Sequence, residues 1–352
     1  MCVESRDPRN PSVINNPSST PSLRGGYITG LDPLRGLAAV SIALFHFSNN
    51  GWLPKGDVVT HIGFYFHFVI YTFFTISGFV IPYSMHLSGY RSGDFRAFFL
   101  KRMVRIYPPY IVCIAMMVSV ELISFIAHQI PARVGVVDTL LHLFYLNGVL
   151  GRPWLLDIFW TLGIEVQFYL FVVMVWPLVI SQKTAVFVAF TVVFVALSWW
   201  VRSTAYLFSC SAYLALGMVL FRQRIKLDHP AVVWSMVAAL GFVIYPRAGL
   251  SGVIASYIVT PFLFLNVRMA FATFLGKVSY SFYLFHLPIG GTLLAILSPH
   301  VVSIGARYAW LLVAMLVSIG AAWVGHRFLE LPAISWSKRV RYVRSGGSDK
   351  SA

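Results

Sequence analysis

The sequence predicts an all-α integral membrane protein, a bundle of about ten transmembrane helices with both termini in the cytoplasm. Three observations carry this. Of 352 residues, 58% are hydrophobic and only 11% are charged, whereas soluble domains run near 25% charged. Apolar runs of about the twenty residues that a bilayer crossing needs recur from residue 34 to 328, which leaves no room for a sizeable soluble domain. Lysine and arginine, finally, collect on one side of the alternation that these runs define.

The first run, 34–50, follows Leu-Asp-Pro, and a leading proline is tolerated at a helix start. The second, 61–86, is long, and Ser77-Gly78 and Pro82 inside it predict a bend or break. The third, 106–128, follows a basic segment. Next comes the longest loop on the outer side, 129–158, where Pro131, Gly148, Gly151 and Pro153 interrupt apolar and aromatic residues; it is a candidate re-entrant segment. Seven runs follow, at 159–180, 184–202, 205–221, 231–246, 250–267, 278–297 and 305–326, the shortest of them marginal for a full crossing.

Ten spans put both ends on one side. Of the 27 Lys and Arg, 21 fall on that side and 6 on the other, the asymmetry expected when the termini are cytoplasmic. The same asymmetry accounts for the net charge of +15 without nucleic acid as a partner. Residues 1–27 carry Arg, Asp, Pro, Ser and Asn without the apolar core of a signal peptide, and read as a disordered cytoplasmic tail. Residues 28–332 form the membrane domain. Residues 333–352 form a basic cytoplasmic tail whose Lys338, Arg339, Arg341 and Arg344 suit lipid headgroups. Cys2, Cys113 and Cys210 show neither a disulfide framework nor metal-ligand spacing, so no metal is expected.

Few ionisable residues interrupt the apolar runs. Arg35 and His46 frame the first helix, about 16 Å apart along its axis, with Arg35 at the inner interface and His46 near mid-membrane. A histidine at that depth either faces a polar cavity or is satisfied by an interhelical hydrogen bond. Glu165 and His286 lie within the same central slab, so a packed bundle can bring the three together; sequence yields depth, not rotation. Histidine is a suitable base for a hydroxyl nucleophile, and a carboxylate beside it would orient the ring. Glu165 is the first candidate for that carboxylate, ahead of Asp32 and Asp157. Arg102 and Arg105, three apart, share a helix face. By composition they are orientation charge and headgroup contacts; their forks also suit phosphate. Ser77 and Gly78 fit either close packing of helices or backbone approach to a ligand.

Taken in order, LDPLRGLAAVSIALFHF, FFTISGFVI, KRMVRIYPPY, FWTLGIEVQFYL, YSFYLFHLPI and HRFLELP resemble the motifs of the acyltransferase family 3 membrane proteins, which O-acylate carbohydrates and other acceptors. The resemblance runs from about Leu31 to Pro332. Each segment is weak alone; six in the family's order are specific. Pro33 stands where many relatives have Gly, and the chain ends soon after the tenth span, so the resemblance implies a standalone form without the SGNH hydrolase-like domain that some relatives append.

The resemblance implies an acyl-CoA donor, acetyl-CoA first, approaching from the cytoplasm, and a hydroxyl acceptor on an envelope or exported polysaccharide or glycolipid. It makes His46 the catalytic histidine with Glu165 in the site, and Arg35 the paired motif residue. Arg102 and Arg105 would hold CoA phosphates, and Ser77, Gly78 and Phe79 would line the acyl path. Asp157 and His286 are expected at the acceptor. The expected setting is the plasma (bacterial inner) membrane, with lipid and polysaccharide-biosynthesis proteins as partners. Two rival classes fit the hydropathy: a transporter or flippase of a lipid-linked sugar, which would leave its substrate unchanged without acyl-CoA, and a sensor on the same scaffold that has lost catalysis. The Arg35–His46 pair weighs against the second.

Overall fold

The computed structural model describes residues 28–342 except 202, 266 and 268. The predicted N-terminal tail and residues 343–352 of the predicted C-terminal tail lie outside the described residues. All regular structure among the described residues is helical. In chain order the helices are α1 (Leu31–Asn49), α2 (Val58–Leu87), α3 (Ser92–Ala127), the short α4 (Val136–His142), α5 (Phe159–Val179), α6 (Thr184–Trp200), α7 (Ser211–Arg224), α8 (Pro230–Phe264), α9 (Ala270–Leu297) and α10 (Ile304–Arg339). Six of them, α2, α3, α5, α8, α9 and α10, are long and apolar enough to cross a membrane. Val192, Trp200 and Phe242 project outward from α6 and α8, as a lipid-facing surface requires.

Local chemistry sets the ends. Asp57 caps α2, accepting from the backbone N–H of Val59 at 2.8 Å and of Thr60 at 3.4 Å. Pro230 opens α8 behind His229, whose ring accepts from the N–H of Ala231. Gln129, in the left-handed conformation at φ 57°, ends the third helix. The expected bend of the second span falls elsewhere: a tight 3-10 turn at Phe66–Val69 interrupts α2, and the helix then runs unbroken from Ile70 to Leu87 through Ser77, Gly78 and Pro82.

The stretch α8 reverses at Gly249, whose φ of 60° and ψ of −166° are non-helical. A straight helix would hold Val237 and Tyr257 about 30 Å apart, yet the Tyr257 hydroxyl donates to the Val237 carbonyl. The apolar runs at 231–246 and 250–267 are therefore two arms of a hairpin. At the other end of the chain the helix continues through Pro332 to Arg339, so the first part of the predicted tail is helical.

The closest helix crossings are glycine contacts. A Cβ on Gly36 of α1 would lie 2.4 Å from the Ala272 carbonyl oxygen, and one on Gly276 of α9 would lie 1.9 Å from that of Asp32. One register further along the same pair, the rings of His46 and His286 sit 5.4 Å apart, so α1 and α9 run parallel. Helices α2 and α7 cross in the same manner: a Cβ on Gly78 would meet the Leu214 carbonyl oxygen, and one on Gly217 that of Thr75, each at 2.2 Å. Tyr71 stacks on Tyr213 beside this crossing, at 4.1 Å. Small residues let these backbones approach.

One buried ion pair staples the ends of α5, α6 and α7. Arg222 is fully buried and grips Asp228 through Nε at 2.5 Å and Nη2 at 2.6 Å. Its Nη1 donates to the carbonyls of Val179 and Ser181, and its plane covers the Phe187 ring at 4.3 Å. Thr184 adds a hydrogen bond to Asp228. Arg222→Leu strands a buried carboxylate and two helix-end carbonyls, and is expected to cost about 3–5 kcal/mol, read as a lower thermal unfolding midpoint of the purified protein. Replacing both members with leucine is expected to recover part of that loss, and a double variant no better than the single one would show that the pair does not act as a unit.

Candidate active site

Helices α1, α2, α3, α5, α9 and α10 surround a basic cavity. Arg35, Arg102, Arg105 and Lys277 line it, against Asp32, Glu165 and Glu330. Most of these groups are tied. Arg102 donates to the Ser84 hydroxyl and lies over the rings of Phe98 and Tyr169. Tyr169 donates to Glu165 at 2.5 Å. Glu330 accepts from His326 Nδ1 at 2.7 Å and from Ser281 at 3.1 Å. Arg35 differs: its Nε is buried without a hydrogen-bond partner among the described residues, and such an orphaned donor marks a place where a ligand or water fits. Arg105 is exposed at the rim.

A second, more apolar cavity shares Arg35, Ile76, Ser77, Glu165, Ser279 and Tyr280 with the basic one. Its far end reaches Ile70, Thr161 and Tyr283, and the same three residues line a third cavity, which contains His46, His67 and Asp157. His46 and Asp157 in turn line a fourth, with Asn50, Trp52, Arg133 and Thr292. Shared walls thus link the arginines to His46 in one run of cavities.

His46 projects from the last turn of α1 and is half-buried. His286 backs it from α9 and is 1% exposed. Carbonyls only accept, so His286 Nδ1 carries the proton that it donates to Tyr283 O at 2.7 Å. Its Nε2 is then an acceptor, buried and without a partner among the described residues. His286 opens a wide π-type turn, His286–Gly291, and His326 opens another, His326–Glu330. Such turns concentrate at functional sites.

Asp157 lines both cavities of His46, and the segment before it is held by a set of hydrogen bonds. The short helix α4 and the turn after it are pinned by Tyr107 donating to Leu143 O and by Tyr110 donating to His142 O at 3.1 Å. His142 is fixed at both nitrogens: Nδ1–H donates to Asp138 O at 2.6 Å, and Nε2 accepts from the Leu155 N–H at 3.0 Å. Asn147 ties Asp138 O to Pro153 O, and Arg152 Nε pairs with Asp138 at 2.6 Å. Leu155, Leu156 and Ile158 are buried around exposed Asp157.

A family model described as an acyltransferase domain matches residues 28–327. The chain belongs to acyltransferase family 3. The chain is 26% identical, over 68% of its length, to a provisionally named O-acetyltransferase of Staphylococcus aureus (strain COL), 36% of which is covered. It is 30% identical, over 43% of its length, to a provisionally named peptidoglycan O-acetyltransferase, YrhL, of Bacillus subtilis (strain 168), 23% of which is covered. The chain thus spans well under half the length of these relatives. No solved structure matches it.

The site residues expected from the sequence divide on this geometry. Arg35, Arg102, Arg105, Ser77 and Glu165 meet at one cavity; His46 and Asp157 meet at others. Glu165 lines neither cavity that holds His46, and the carboxylate there is that of Asp157, because the rotation of α5 turns Glu165 toward Arg35. Of the trio expected along the acyl path, Ser77 alone is among the residues lining the four cavities described. Gly78 is spent on the crossing with α7, and Phe79 is fully buried against Tyr83. His286 stands behind His46 rather than in its cavities. Sequence reasoning missed Thr161, Tyr283, His326 and His67. Thr161 lies one turn before Glu165 and Tyr283 one turn before His286, so helical periodicity within the motifs was the available signal.

Two titrations affect the segment between α3 and α5. Burial pushes the His142 pKa down, so the neutral ring contributes stability above its ordinary value of about 6.5 that is lost as pH falls below it. The hydrogen bond from Arg152 holds the Asp138 carboxyl below the usual carboxylate range, a contribution lost below about pH 4. Amide exchange over residues 135–158 is therefore expected to quicken below about pH 6.5 and again below about pH 4. Arg152→Ala is expected to remove the second step alone.

Proposed function

We propose that this protein is a membrane O-acyltransferase that moves an acyl group, acetyl first, from acyl-CoA to a hydroxyl of a carbohydrate acceptor. The observation that carries this reading is the run of cavities joining the arginine-lined space to His46. A donor with an anionic head, a long thin arm and a reactive end fits that shape. Arg35, Arg102 and Arg105 take the phosphates by charge-assisted hydrogen bonds. The arm passes Ser77 and the apolar walls of the second cavity. The acyl carbon arrives beside His46.

There His46 removes the acceptor's hydroxyl proton, and Asp157 stabilises the imidazolium that results. The oxygen attacks the thioester carbon, the C–S bond breaks, and the imidazolium returns its proton to the CoA thiolate. Prior transfer of the acyl group to His46 is the covalent variant of the same chemistry, with ping-pong kinetics as its signature. The acceptor enters by the fourth cavity, which opens at the end away from the arginines and offers Asn50, Arg133 and Thr292 to a polar ligand.

The topology belongs to this proposal. On this reading each arm of α8 crosses separately, which makes ten crossings with α1 first and α9 ninth, and the parallel packing of α1 and α9 supports that count. A single crossing by α8 would oppose them. The termini and the arginine cavity then face the cytoplasm, in agreement with the charge asymmetry, in a bacterial inner membrane.

The test uses purified protein in liposomes with labelled acetyl-CoA and an extract of the host's envelope glycans. Label is expected to enter a base-labile ester, and His46→Ala, at equal folded yield, is expected to abolish this. Arg105→Ala is expected to raise the KM for acetyl-CoA about tenfold, the size of one hydrogen bond to a charged group. Movement of a glycolipid across the bilayer without acyl-CoA, and without chemical change, would replace the reading with a flippase.

A further inference from the structure

The second and third cavities meet at two hydroxyls. Thr161 Oγ1 and Tyr283 OH lie 2.7 Å apart, and both face the carbonyl oxygen of Ile158, at 2.9 and 3.1 Å. The Thr161 backbone N–H points at the same oxygen from 3.3 Å. Three donors thus converge on one carbonyl oxygen that has two lone pairs, so one proton is surplus to it. Both side chains are buried, at 7% and 8% exposure, yet both line the cavity of His46 as well as the cavity that leads to the arginines.

An acyl carbonyl attacked beside His46 becomes an oxyanion, and catalysis of that step needs donors already aimed at it. We infer that the hydroxyls of Thr161 and Tyr283 form the oxyanion site of this enzyme, with the Ile158 carbonyl holding them in place until the acyl group arrives. The inference rests on the transfer reading above and adds the residues that stabilise its intermediate. As the acceptor oxygen adds, the C=O electron pair moves onto the carbonyl oxygen, and one hydroxyl turns its proton from Ile158 O or from its neighbour to that oxygen. No proton is transferred by either hydroxyl. The pair returns when the C–S bond breaks and CoA leaves as the thiol, reprotonated by His46. Tyr283 precedes His286 by less than one turn, and the two rings are 6.0 Å apart, so α9 supplies both the group backing His46 and the oxyanion donor.

Initial rates are measured in the liposome assay as acetyl-CoA is varied, for wild type, Tyr283→Phe, Thr161→Val and Thr161→Ser, at matched thermal unfolding midpoints. Tyr283→Phe and Thr161→Val are each expected to lower kcat about a hundredfold, the usual effect of removing one oxyanion donor, with the KM for acetyl-CoA within about twofold. Thr161→Ser, which keeps the hydroxyl, is expected to retain most of kcat. Unchanged kcat in Tyr283→Phe and Thr161→Val overturns the inference, as does a raised KM at constant kcat, which would make the hydroxyls wall contacts only. Equal losses in Thr161→Ser and Thr161→Val overturn it as well. In each of these cases wild-type transfer stands. Absence of transfer by wild type removes the acyltransferase reading itself and the inference with it.

Discussion

The contact on which the site depends is the parallel crossing of α1 and α9 at Gly36 and Gly276. Side chains there would drive backbone into backbone. Their absence lets two helices far apart in sequence run side by side in one register, so Arg35 and Ser279 share one cavity while His46 and His286 share one ring contact. An α-helix is rigid along its axis. Once the glycines set the register, the distance between the arginine end and the histidine end follows. The other glycine crossing, between α2 and α7, similarly fixes the wall that carries Ser77.

This framework separates two tasks that interfere when placed together. Several fixed positive charges suit a polyanionic ligand but would disfavour an imidazolium next to them. The structure keeps Arg35, Arg102 and Arg105 in one cavity and leaves His46 with Asp157 in others. The intermediate stretch is apolar apart from the hydroxyls of Ser77, Thr161, Ser279, Tyr280 and Tyr283 and the groups of Arg35 and Glu165 at its arginine end. A stretch with few charges suits the long neutral arm of the proposed donor, and electrostatic effects are stronger where water is scarce.

The segment between α3 and α5 completes the histidine end. It contributes a carboxylate from a loop, and a loop residue is only as well placed as the hydrogen bonds that hold the loop. Here a neutral histidine used at both nitrogens, an asparagine and an arginine–aspartate pair hold it. None of these groups lines a cavity with His46. Their contribution is to turn a potential re-entrant loop into a wall.

Periodicity, composition and motif order read along the chain determined the helical membrane class, the separate apolar runs on either side of Gly249 and the family, and singled out Arg35, His46, Arg102 and Arg105 as candidates. These are local properties: hydropathy is a sum over neighbours, and a motif is a spacing. Which carboxylate accompanies His46 was not legible, because Glu165 and Asp157 both lie near α5 and only the rotation of that helix and the fold of residues 129–158 distinguish them. Nor was it legible that Gly78 serves packing while Ser77 beside it lines a cavity, since adjacent residues on a helix point about 100° apart and the neighbour that claims each face comes from α7 or α9. The meeting of Thr161 with Tyr283 required two helices more than a hundred residues apart in sequence to dock at one height. Sequence alone determined what each helix is and roughly how deep its polar groups lie; tertiary structure decided which of those groups face one another, because azimuth and register are set by contacts between helices and not within them.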